Sequence, residues 1–134
     1  MNRVMTLAAC PIAFGMTALT QEEPDYQKWM KTTAATAGSL SKNLDAKNGE
    51  GATADAKKLQ ETFQQVHDFW HKKGVDDAMK FAMNAGSGFK EVGELASAGK
   101  FDDASGALKK TMANCAGCHK THREKASDGS FKIK

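Results

Sequence analysis

The stretch NCAGCHKTHR at positions 114–123 sets two of the chain's three cysteines, Cys115 and Cys118, beside two of its four histidines, His119 and His122. Three chemistries use such a set. Covalent attachment of haem needs two thiols for the porphyrin's vinyl groups and an imidazole for the iron, which C-x-x-C-H supplies within five residues. Structural zinc needs four ligands around a tetrahedron, and Cys115, Cys118, His119 and His122 spell C-x-x-C-H-x-x-H. A redox dithiol uses C-x-x-C at a helix N-terminus, where the dipole lowers a thiol's pKa.

Helical spacing separates the three. Cys115 and Cys118 are three apart and His119 is four beyond Cys115, so on a helix all three lean towards one face and one bound macrocycle. The same spacing works against zinc, because a single short helix cannot wrap four ligands around one ion without unwinding. The motif also closes a helix where a thioredoxin-like dithiol would open one. One covalent haem c is therefore the expected cofactor, with Cys115 and Cys118 as thioether cysteines and His119 as an iron ligand. A zinc-stapled interaction domain is the alternative that the same residues leave.

The elements that must position this motif are helical. Glycine-bearing joints at KNGEGAT, HKKGVDD and SAGKFDD cut the chain after Pro24 into four segments, each with apolar residues at i, i+3, i+4 and i+7. The first runs from about Pro24 to Asn48 and Gly49, with the stripe Tyr26, Trp29 or Met30, Thr33, Ala37, Leu40, Leu44. The second runs from a Thr53 cap through Leu59, Phe63, Val66 and Trp70 to Gly74. An Asp76 cap opens the third, which passes Met79, Met83, Phe89 and Val92 to stop at Gly99. Asp102 opens the fourth, which carries Leu108, Met112, Cys115 and His119 towards Lys125, and the tail ASDGSFKIK is expected to fray. Gly86, Gly88 and Gly93 imply either a close neighbour or an irregular third helix. Such segments with short joints make an all-α, antiparallel up-down-up-down four-helix bundle with the haem on its C-terminal helix.

Composition sets the remaining bounds. At 134 residues the chain holds one domain's worth, and a formal charge of +3 with lysines interleaved among Asp and Glu argues against nucleic acid. Residues 1–20 combine Arg3 with an uncharged, mostly apolar run, the pattern of an export signal, leaving 21–134 as the domain. That run is interrupted by Pro11 and Gly15, and no segment approaches the roughly 20 apolar residues of a membrane span. LAAC at positions 7–10 has the form of a lipoprotein box, but only residues 4–9 would precede Cys10 as its apolar region, short of the usual length of about 7 to 15. Export to the periplasm, where c-type haem is attached, is preferred to anchoring through Cys10.

A four-helix bundle with C-x-x-C-H near its C-terminus resembles the class II cytochromes c, the cytochromes c prime and their methionine-ligated relatives. CAGCHKTHR is similar to the family's C-x-x-C-H-x-x-Tyr/Phe-Arg: Cys115, Cys118, His119 and Arg123 match, while His122 replaces the aromatic residue. Met30 and Lys31, with Gly38 eight and Leu40 ten residues after the methionine, look like the first helix of the six-coordinate members. The resemblance implies Met30 as the distal iron ligand, Arg123 near the haem, and a non-enzymatic carrier of single electrons between redox partner proteins. It also implies a possible homodimer through the first two helices. A five-coordinate cytochrome c prime that binds NO or CO is the alternative, with an apolar residue blocking the distal face. His67 and His71, an i, i+4 pair, offer a further ligand, although neither sits where the resemblance places one.

Overall fold

The computed structural model describes residues 22–134, so the expected export signal and Cys10 lie outside the described residues. Four helices follow one another: α1 (Glu22–Asp45), α2 (Gly49–Lys73), α3 (Asp76–Ser97) and α4 (Phe101–His122). Joints at 46–48, 74–75 and 98–100 are too short for anything but a reversal. Each helix packs on the next, and α1 returns to α4, so the ring closes into the expected all-α bundle. Among the described residues no helix is long and apolar enough to cross a membrane.

Local chemistry sets the joints. Lys47 takes a left-handed φ of 56°, and Asn48 then caps α2 by accepting the Gly51 N–H on its side chain at 3.0 Å. Thr53, the expected cap, lies inside the helix and donates its hydroxyl to the Gly49 carbonyl at 2.7 Å. Gly74 ends α2 at φ 68°, its N–H donating to the His71 carbonyl. Val75 precedes α3, with Asp76 and Asp77 in the first turn, where their charges meet the helix's partial positive end.

The core is the stripe pattern with two departures, one on α3 and one on α4, where Met112 is 39% exposed and its neighbour Thr111 is buried. Leu40, Leu59, Phe89 and Val92 are fully buried at its centre. On α3, however, Ala78, Ala82 and Ala85 face inwards, while Met83 is 56% exposed. Small side chains at the front of α3 leave room for the cleft described below; methionines there would fill it. The glycines of α3 reflect close approach rather than irregularity, since α3 is one continuous helix. A Cβ on Gly88 would collide with the Thr111 side chain of α4, and one on Gly93 would lie 3.1 Å from Ala56 of α2.

The C-terminal end departs from expectation. Helix α4 stops at His122, and Arg123–Lys125 (β1) pairs antiparallel with Phe131–Ile133 (β2), Arg123 opposite Ile133. The tail is thus a hairpin instead of a frayed end. Its turn uses Gly129 at φ 86° and an Asp128 carboxylate that accepts the Ser130 N–H at 2.9 Å. The overlooked signal was the Asp128-Gly129 pair before the alternating FKI.

Gly88→Ala should destabilise the fold by about 1–3 kcal/mol through overpacking, because Thr111 is buried and its hydroxyl is tied to the Ala107 carbonyl at 2.8 Å. Gly106→Ala, in α4 with nothing within 4 Å of the added methyl, should instead stabilise it by about 0.5–1 kcal/mol. Urea unfolding of the two variants checks the opposite signs.

Tyr26 supplies a second test. Burial pushes its phenol from the usual 10 up to about 12, against the opposing effect of the Trp70 N–H that donates to its oxygen. The unfolded chain therefore ionises first, and stability present below pH 10 is lost as pH rises towards 12. Two units correspond to about 2–3 kcal/mol. Tyr26 is the chain's single tyrosine, so phenolate absorbance during alkaline unfolding reads it directly.

Candidate functional site

One cleft gathers most of the residues with chemistry to offer. It encloses about 480 Å³, within the usual range for a small-molecule or cofactor site, and its wall is mostly apolar. Helix α1 contributes Met30 and Thr33, α2 Phe63 and Val66, α3 Ala78 and Phe81, and α4 Cys115, Cys118 and His119. Met30 and His119 thus reach the same space from different helices.

The motif sits as its spacing requires. Cys115, Cys118 and His119 fall on the last turns of α4, all half-buried on the cleft side. Gly117 between the cysteines has no room for a side chain, since a Cβ there would lie 2.7 Å from the ring of Phe81. That contact packs α3 against the motif and holds its turn in place. Both thiols are free. Burial, with Asp77 and Cys115 near, pushes the Cys118 thiol up to about 11, and burial raises Cys115 as well. A reactive dithiol shows the reverse, a thiol pKa lowered by a helix N-terminus or a cation. Burial first, and then the Arg123 charge, lowers the pKa of His119, which keeps its imidazole neutral with a lone pair to give.

His122 borders the same cleft, but its ring is already engaged. Its Nε2 meets the Asp77 carboxylate at 2.8 Å, and its ring lies 5.1 Å from Trp70. In place of the aromatic residue of the resembled motif it packs as one, while joining α4 to α3. Among the described residues no three His, Cys, Asp or Glu side chains converge as a metal-holding group, so the zinc tetrahedron that the letters spell has no counterpart in space.

Arg123 is the first residue of β1, exposed at the cleft's edge with its guanidinium 4.0 Å from the centre of the Phe131 ring. Phe131, Lys132 and Ile133 border the cleft too, so the hairpin forms part of its rim. The Ile133 N–H donates to a Glu23 carboxylate oxygen at 3.3 Å, fastening the hairpin to α1 across the whole length of the chain. His67 and His71 do not border the cleft. Their rings stack on α2 with centroids 6.1 Å apart, and His67 meets the Asp68 carboxylate at 3.2 Å.

Thr33 carries a feature that sequence reading passed over, because it stood in the stripe as an ordinary core residue. Its Oγ1 is the one buried side-chain oxygen or nitrogen, among the described residues, without a hydrogen-bond partner. An orphan hydroxyl in the wall of an apolar cleft, two free thiols and a neutral imidazole together fit a bound haem. Protein-family models, curated proteins and solved structures offer no match to this chain, so the functional reading rests on the motif and on this geometry.

Proposed function

We propose that this protein is an electron-carrying c-type cytochrome of the class II kind, exported to the periplasm and not an enzyme. The observation that carries the reading is the arrival of Met30 from α1 in the apolar cleft that receives Cys115, Cys118 and His119 from α4. Cys115 and Cys118 would hold one haem through thioethers, with His119 and Met30 as axial ligands. Such a group supplies a one-electron iron couple, and a thioether paired with histidine raises its reduction potential.

The chain's own residues explain the rest of that role. With His119 and Met30 both given to a bound iron, a substrate would find no open site, and transfer of an electron would be the chemistry left. Phe63, Val66 and Phe81 keep water from the cleft, which favours the less charged ferrous state. The Cys115 and Cys118 thiols stay protonated until they are used, and His119 stays neutral. Lysines are interleaved with acids along the chain, which suits the weak, brief docking of a carrier to redox partner proteins.

Expression in a periplasm equipped for c-type haem attachment tests the reading. Mass spectrometry should find one haem added, and Cys115→Ser with Cys118→Ser should remove it. Ferric and ferrous spectra should be low-spin and unchanged by CO. Met30→Ala should convert the protein to a form whose ferrous iron binds CO. A wild-type protein with high-spin ferrous iron that takes up CO would instead establish the five-coordinate gas binder, and a colourless protein would remove haem altogether.

The hairpin gives a second expectation. Deleting residues 126–134 removes Phe131 and Ile133 from the rim and exposes the cleft to water. Water stabilises the more charged ferric state, so redox titration should find the reduction potential lowered relative to the full chain.

A further inference from the structure

Three threonines in these helices share a bond that is absent at Thr33 and Thr36 of α1, and of those two hydroxyls only that of Thr33 is both shut off from solvent and without a partner. Thr53, Thr62 and Thr111 each donate their hydroxyl to the carbonyl four residues earlier, at 2.7, 2.9 and 2.8 Å. Thr33 is as buried as Thr62, at 7% exposure, and makes no such bond. A buried hydroxyl left unpaired is costly, so an orphan of this kind points to a partner gained when the cleft is filled.

Position narrows what that partner is. Thr33 and Met30 are one helical turn apart on α1, and both border the cleft. Side chains of a helix lean towards its N-terminus, which inclines Thr33 back over Met30. A thioether sulfur has two lone pairs, and an axial ligand spends only one of them on a metal. The second is a weak acceptor.

We propose that Thr33 is a positioning residue for the axial methionine: its hydroxyl donates a hydrogen bond to the free lone pair of the Met30 sulfur once that sulfur is drawn into the cleft as a ligand. This rests on the reading of Met30 as an iron ligand. The bond draws electron density from the sulfur, weakens its donation to ferric iron more than to ferrous, and so raises the reduction potential. It also fixes the side of the sulfur that faces the cleft.

The test uses the haem-loaded protein and three variants. Thr33→Val keeps the shape and removes the donor; Thr33→Ser keeps the donor. In Thr33→Val the reduction potential should fall, with a roughly threefold to tenfold decrease in the equilibrium constant for reduction, the value of one ordinary hydrogen bond. The ferric sulfur-to-iron charge-transfer absorption should shift with it, and Thr33→Ser should restore both. A structural role alone would alter stability without moving that absorption. Met30→Ala separates the two layers of the argument. If it leaves the low-spin spectrum intact, Met30 is not the ligand and both readings fall. If it abolishes that spectrum while Thr33→Val keeps the wild-type potential and absorption, the role of Thr33 alone is overturned.

Discussion

A chain of contacts through Tyr26, Trp70, His122 and Asp77 ties all four helices together beside the cleft, and the site depends on it. The Trp70 N–H of α2 donates to the Tyr26 oxygen of α1 at 3.3 Å, the His122 ring of α4 packs 5.1 Å from Trp70, and His122 meets Asp77 of α3 at 2.8 Å. Phe69 thickens the knot, with its ring 4.7 Å from Tyr26 and 5.1 Å from Trp70. A bundle that keeps a cleft open at one end forgoes core contacts there, and the helices tend to collapse into the gap. The rings resist that collapse, because Tyr26, Trp70 and His122 are each held both by their neighbours and by a hydrogen bond at the edge.

Small residues do the complementary task. Ala78 and Ala82 at the front of α3 keep the cleft wide, whereas Gly88 and Gly93 farther along let α3 approach Thr111 and Ala56 closely. The bundle is therefore tight along its length and hollow at the cleft. Gly117 extends the same economy into the motif, where only the absence of a side chain admits the ring of Phe81.

Much of this was legible from local pattern. Helix stripes such as Leu59, Phe63, Val66 and Trp70 are buried as their spacing implies, since a 3.6-residue period is a property of neighbouring residues. Boundaries were less legible. Asn48 reads as the end of one helix but caps the next, and Asp128-Gly129 folds a hairpin from a tail too short to look like sheet. The rotation of α3 that exposes Met83 was not legible at all, because it depends on which neighbours the helix meets, and an apolar residue beside the stripe fits the pattern equally well.

The sequence by itself determined the relation of Cys115, Cys118 and His119, because residues three and four apart on a helix share a face whatever surrounds them. It determined the number of helices too, through three short joints, of which two turn on Gly74 and Gly99 and the first on Lys47 and Asn48. Tertiary structure decided the rest of the site. Met30 and Thr33 stand more than eighty residues upstream of the motif, and only the return of α1 against α4 puts them in its cleft. His122 looked like a fourth metal ligand until α3 offered it Asp77, and His67 and His71 looked available until α2 left them off the cleft. Which way a helix turns, and what meets its face, is settled by packing summed over the whole bundle, and no short stretch of sequence contains that sum.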